Sequence, residues 1–182
     1  MSKEIQELMT LVAGGDMSAL GELYDMLSPR VFNYARTITG NKELAEDITQ
    51  DVFLRINKQA SRLAKMTNPL AYIMVIARNH SYNLLKSGRR AAPLEDALDM
   101  SGDAPHYEHL IFEDAFSGLP PTQRETVYLH LVCGFSHKEA AKLQKAPLVT
   151  VKWRYGKALN KLRTYFTQDE KIQEKIIQEK MI

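Results

Sequence analysis

Residues 136–166 read SHKEAAKLQKAPLVTVKWRYGKALNKLRTYF, and their pattern decides how the chain is organised. Glu139, Ala140, Ala141 and Leu143 carry a first short helix. Gln144, Lys145 and Ala146 make a tight turn, and Pro147 opens a second helix at the position where a fixed φ is best tolerated. That helix sets Val151, Tyr155, Ala158, Leu159 and Leu162 along one side at 3–4 spacing, with Lys152, Arg154, Lys157, Lys161 and Arg163 around the rest. From Lys138 to Phe166 there are eight Lys/Arg and a single acid, Glu139. A helix-turn-helix with a second helix this basic suits the DNA major groove, while a plain helical hairpin with a solvated basic face has the same periodicity.

The surrounding chain narrows the choice. With 182 residues, 45% hydrophobic and 25% charged, it has an ordinary globular composition and room for two small domains. The lone Cys133 offers no disulfide framework or metal spacing, which fits a reducing cytosol. No apolar run reaches the ~20 residues that would span a bilayer, and the Met1-Ser2-Lys3-Glu4-Ile5 start has no signal-peptide pattern, so a soluble, cytoplasmic protein without membrane insertion is expected. The net charge of +2 conceals segregation: residues 91–118 hold seven acids and no Lys or Arg. With Pro93, Gly102 and Pro105 as breakers, an acidic linker is expected at 91–107.

Upstream of it the pattern is helical throughout. Ile5, Leu8, Met9 and Val12 form a stripe ended by Gly14 and Gly15. Asp16 caps a helix with Leu20, Leu23, Tyr24 and Leu27 inward, and Pro29 starts another with Val31, Tyr34, Ala35 and Ile38. After Gly40 and Asn41, a helix from about 42 to 57 buries Leu44, Ile48, Val52 and Ile56. Its opposite face aligns Asp47, Gln50, Asp51 and Leu54 at i, i+3, i+4 and i+7, which suits a basic partner helix. A loop over 58–68 then leads to Asn68 and Pro69, read as N-cap and N1 of a helix reaching about Ser87. There Leu70, Ile73, Ala77, His80 and Leu84 face inward. Tyr72, Val75, Asn79, Tyr82 and Lys86 form a second stripe, with Arg89 and Arg90 beyond it. Rings that stack, amides that read edges and cations that hold phosphate suit single-stranded nucleic acid.

Residues 45–56 (AEDITQDVFLRI), 68–79 (NPLAYIMVIARN), 119–128 (LPPTQRETVY), 134–141 (GFSHKEAA) and 150–152 (TVK) together resemble the bacterial sigma factors of the compact extracytoplasmic-function class, over about residues 5–166. The resemblance implies an all-α fold of two helical domains joined by the acidic linker, the second containing the helix-turn-helix. Residues 1–90 would be region 2, 108–166 region 4, and 167–182 a helical extension. It also implies a non-enzymatic factor without cofactor or metal. Such a factor binds the clamp and flap of core RNA polymerase, meets promoter DNA both as duplex and as melted strand, and is commonly held by an anti-sigma factor.

Residue by residue, Asp47, Gln50, Asp51, Phe53 and Leu54 match the polymerase-docking positions, with Phe53 partly core. Leu63, Tyr72 and Asn79 match the minus-ten surface, Leu63 lying in the base-capturing loop, and Tyr82, Lys86, Arg89 and Arg90 continue that surface along the stripe. Thr150, Lys152, Trp153, Arg154, Gly156 and Lys157 match the minus-thirty-five reader, with Arg154 on phosphate. The chain departs from the family pattern at Tyr72, where Trp is frequent, at Lys145, where the turn usually has Gly, and at Trp153, where a small residue is usual. A conventional helix-turn-helix regulator, binding operator DNA without polymerase, would account for the C-terminal hairpin but not for the Asp47–Leu54 face or the Tyr72–Lys86 stripe.

Overall fold

The computed structural model describes residues 2–87 and 116–180, with side chains at 3–87 and 116–167. The acidic linker expected at 91–107, together with Arg89 and Arg90, lies outside the described residues. The chain divides into two compact units, Met1–Met100 and Ser101–Ile182, and every described element is helical.

In the first unit α1 (Ser2–Ala13), α2 (Met17–Thr39), α3 (Lys42–Leu63) and α4 (Pro69–Lys86) pack on one another around Ile5, Met9, Leu23, Leu27, Ile48, Ile56 and Ile73. Side-chain caps begin three of them. Asp16 accepts from the Ser18 and Ala19 amides, Asn41 from Leu44 and Asn68 from Ala71, each stabilising its helix by about 1 kcal/mol. Gly40 closes α2 in the left-handed conformation at φ 67°.

Two boundaries differ from the sequence expectation. The break expected at Pro29 is absent, and α2 runs through it as one helix of 23 residues. A proline inside a helix costs about 3 kcal/mol. Burial of Leu23 and Leu27 before it and Val31 and Tyr34 after it, at roughly 1.5–3 kcal/mol per large apolar side chain, outweighs that. Pro29 itself is exposed, so water can reach the carbonyl its ring deprives of a donor. Likewise α3 continues to Leu63 rather than ending near 57, because Ala60 and Leu63 extend the buried Val52–Ile56 row. The Gln6 amide donates to the Ala64 carbonyl and ties α1 to the end of α3. Only residues 64–68 remain as a connection to α4.

The second unit contains α5 (Pro121–Val127), which passes directly into a π-helical turn at Tyr128–Val132, then α6 (His137–Gln144) and α7 (Leu148–Lys180). Ser136 and Glu139 cap α6 reciprocally, each side chain engaging the other's backbone amide. Lys145 adopts φ 52°, the one positive φ outside glycine among the described residues, so the turn has the left-handed geometry that its usual glycine would favour. Pro147 lies just ahead of α7, and its carbonyl accepts from Val151. The tail from Thr167 continues α7, a helix of 33 residues.

Candidate nucleic-acid and polymerase interfaces

On α3, Ile48, Val52 and Ile56 turn into the core, so the helix presents Asp47, Gln50 and Leu54 to solvent. Leu54 is 58% exposed, a large apolar side chain the fold does not use. Asp51 is half-exposed and accepts from His80 Nε2 at 3.0 Å. His80 is therefore not a core residue of α4 alone: it reaches across and steadies one acid of the Asp47–Leu54 face. Phe53 is corrected to a core residue. It is 7% exposed and packs at 4.7 Å between ring centroids against Tyr24, which its spacing turns inward but which lies partly open on α2. A ring at i+6 from Asp47 falls on the flank of the helix that faces α2, and sequence spacing alone does not reveal that neighbour.

On α4, Leu70, Ile73, Met74, Ile76 and Ala77 are buried, while Tyr72, Asn79, Tyr82 and Lys86 line the accessible side. The two tyrosines are held in place. Tyr72 donates its hydroxyl to Gln59 at 3.3 Å, and the Arg62 guanidinium stands 5.3 Å over its ring; Arg78 covers Tyr82 at 4.4 Å. Each arginine can add a cation–π contribution of roughly 0.5–1 kcal/mol at such exposed sites. The sequence does not single out Gln59, Arg62 and Arg78, since their partners lie on another helix or four residues along. Leu63 is corrected: it is fully buried as the last residue of α3, not part of a loop, so it is unavailable to receive a base.

The third surface is α7. Val151, Ala158 and Leu162 bury one side, and Lys152, Trp153, Gly156 and Lys157 lie exposed on the other, with Thr150 partly exposed. Trp153 points out, at 58% exposure. Arg154 is tied back into the unit, donating to Gln144 Oε1 at 3.1 Å. Gln144 is itself buried and donates to Thr126 Oγ1 at 3.0 Å, and Thr126 donates to the Thr122 carbonyl at 2.7 Å. This chain of hydrogen bonds joins α5, α6 and α7 and fixes the angle at which α7 leaves the unit.

Beneath α7, His130 and His137 stack at 4.3 Å, and the Tyr155 ring meets both edge-on at 4.8 Å. His130 Nδ1 donates to the Phe135 carbonyl at 2.7 Å. His137 Nε2 is buried with no hydrogen-bond partner among the described residues. Desolvation first, then the neighbouring His130 and Lys152, lower the His137 pKa, so the ring stays neutral. Burial likewise lowers the Arg124 pKa from its usual value. Among the described residues no three His, Cys, Asp or Glu side chains converge as metal ligands, and no helix is long and apolar enough to cross a membrane.

Two family models match these units: sigma-70 region 2 at residues 23–91 and sigma-70 region 4 at residues 109–162. The chain belongs to the extracytoplasmic-function class of RNA polymerase sigma factors. It is 25% identical over 175 residues to the ECF RNA polymerase sigma factor SigK of Mycobacterium tuberculosis H37Rv, covering 90% of this chain and 94% of SigK. To BldN of Streptomyces coelicolor it is 28% identical over 175 residues, covering 88% of this chain and 66% of BldN. Its fold is similar to that of RpoE from Bartonella quintana, solved with the anti-sigma factor NepR (TM-score 0.65, 22% identity, 81% of this chain and 96% of RpoE). It is also similar to CnrH, solved with the cytosolic domain of CnrY (TM-score 0.62, 20% identity, 91% of this chain and 99% of CnrH). This sigma factor binds core RNA polymerase and promoter DNA and directs promoter-specific initiation; it is not an enzyme. Family membership removes the operator-binding regulator as an alternative.

Proposed function

We propose that promoter recognition is divided among three helices, within a region 2 of residues 1–90 and a region 4 of residues 108–166 that the 91–107 linker joins. The α3 strip of Asp47, Gln50, Asp51 and Leu54 docks on the polymerase clamp. The α4 surface of Tyr72, Asn79, Tyr82 and Lys86, continued by Arg89 and Arg90, takes the melted strand at the minus-ten element. The α7 surface of Thr150, Lys152, Trp153, Gly156 and Lys157 meets the minus-thirty-five duplex, while Arg154 orients that helix and leaves phosphate contacts to the free lysines. The observation that carries this reading is the exposed Leu54 with Asp51 one turn and Asp47 two turns before it, since burying a leucine beside these carboxylates needs a partner that is both apolar and basic. The factor acts in the cytoplasm, beside its polymerase. The polymerase flap is the partner for the second unit, and an anti-sigma factor that covers the same faces is the regulator.

Reversing the strip with Asp47→Lys and Asp51→Lys tests the docking face. Binding to purified core polymerase should fall at least about tenfold, within the range measured for interfacial charges, while the helical melting curve is kept. Undiminished affinity would remove α3 from the interface. For α7, Lys152→Ala with Lys157→Ala should lower the slope of log affinity against log salt by about 2, one for each phosphate left without its lysine.

A further inference from the structure

Over its first two turns the outward crest of α7 does not have the chemistry of a hydrogen-bonding reader; Asn160, two turns beyond Trp153, is the first crest residue that can both donate and accept. With about 100° per residue, Val149 and Trp153 fall within about 20° of the line opposite the buried Val151, Ala158 and Leu162. Lys152 and Lys157 stand on either flank. Val149 is 78% exposed and Trp153 58%, so the part of the helix that would reach deepest into a groove is apolar. Valine can neither donate nor accept, and the indole has one N–H donor and no acceptor. Over these turns, hydrogen-bond readout of the bases would thus fall to the flanks, leaving this part of the crest to shape and apolar contact.

Gly156 lies next to this crest, one turn beyond Trp153 on α7. A Cβ built there meets nothing within 4 Å, so packing within the protein does not demand a glycine. A mid-helix glycine nonetheless weakens the helix relative to alanine. An unforced, destabilising vacancy beside an exposed tryptophan is accounted for if something outside the protein enters it. On the major-groove edge of a base pair the apolar group is the C5 methyl of thymine.

We propose that Val149 and Trp153, with the open space at Gly156, form a methyl-reading crest that makes the upstream-element preference of this sigma factor depend on thymine C5 methyl groups. This rests on the reading of α7 as the helix that enters the upstream duplex. Its cationic flanks argue for nucleic acid over an apolar protein partner as the occupant. Lys152 and Lys157 border the crest with Lys161 beyond them, and they would lie along the two phosphate walls of the groove.

The test uses holoenzyme reconstituted from core polymerase and the full-length chain. Duplexes are selected from a random pool, and each thymine of the selected upstream element is replaced in turn by deoxyuridine, which deletes the methyl and nothing else. At one or two positions deoxyuridine should weaken binding about fourfold, the value of one buried methyl-sized group. In Trp153→Ala, and to a lesser degree in Val149→Ala, thymine and deoxyuridine probes should bind alike. Both side chains are exposed, so these variants should fold, and unchanged helical melting would verify it. Gly156→Ala should melt at or above the wild-type temperature yet bind the element more weakly.

A wild type indifferent to deoxyuridine everywhere, with Lys152→Ala still weakening binding, overturns the methyl crest and leaves the recognition helix standing. A methyl dependence that survives in both crest variants assigns it to another group and also overturns the proposal. If neither the lysine nor the crest variants alter upstream binding, α7 is not the reader and both ideas fall. Full element binding by Gly156→Ala would remove the vacancy from the mechanism.

Discussion

Both units bury polar groups, but in the first the buried hydroxyls bond back within their own helices, whereas in the second a buried polar chain runs from helix to helix. In the first, the long helices share a core of Ile5, Leu23, Leu27, Ile48, Ile56 and Ile73; Arg36 is buried in α2, the buried Thr37, Thr39, Thr49 and Ser81 hydroxyls donate to carbonyls four residues earlier, and Asn41 and Asn68 cap helix ends. In the second, Gln123, Glu125, Thr126 and Gln144 are buried alongside Val127, Leu129, Ala140 and Val151, and two imidazoles stack beneath α7. An apolar core tolerates imprecise direction, because dispersion and hydrophobic burial depend little on angle. Hydrogen bonds are directional, so a small unit that must aim one helix gains accuracy from them and becomes sensitive to the removal of any partner.

The contrast breaks first at Ile56. Truncation by Ile56→Ala should destabilise the first unit by about 2–5 kcal/mol through lost transfer energy and the cavity left behind. Hydrogen exchange followed helix by helix should show α2, α3 and α4 opening together while α6 and α7 keep their protection. Faster exchange in α7 to the same extent would mean that the two units fold as one, and the contrast between them would collapse.

Gln144→Ala sharpens the other side. It leaves Thr126 and Arg154 without their shared partner, a loss of about 1–3 kcal/mol for buried polar groups. The expected signature is a destabilised second unit together with weaker upstream-duplex binding, since Arg154 no longer fixes α7. Gln144→Glu keeps an acceptor for Arg154 and should recover binding better than stability. If both variants bind the duplex as wild type does, the network is structural only and the directional argument fails.

These polar contacts are also where the sequence is hardest to read. The helical stripes, the caps at Asp16, Asn41 and Asn68, and the turn at Lys145 are legible because each is encoded within a few neighbouring residues. The continuity of α2 through Pro29 is not, because local breaking propensity is outweighed by burial against helices far away in the chain. Phe53 and Leu63 match family positions at interfaces, yet the neighbours that cover them come from other helices, as Tyr24 does for Phe53. Arg154 reads as a phosphate contact because its charge is visible in sequence, and its tether to Gln144, ten residues upstream, is visible only in the fold.

The smallest expected effect comes from His137 and separates the units by pH. Its folded-state pKa is lowered from 6.5 by desolvation, by His130 and by Lys152, so the folded unit resists protonation that the unfolded chain accepts. The unfolded state therefore binds more protons in this range. The contribution of a neutral His137 is complete above pH 6.5 and is lost as the pH falls below that value toward the lower folded pKa. Acidification from about pH 7.5 to about 5.5 should thus loosen α6 and α7 in hydrogen exchange more than α2 and α3. His137→Phe, which keeps an aromatic ring against Tyr155 and cannot titrate, should flatten that dependence. An unaltered pH profile in His137→Phe would assign the whole effect elsewhere, and the polar character of the second unit would then matter for aiming α7 but not for its response to acid.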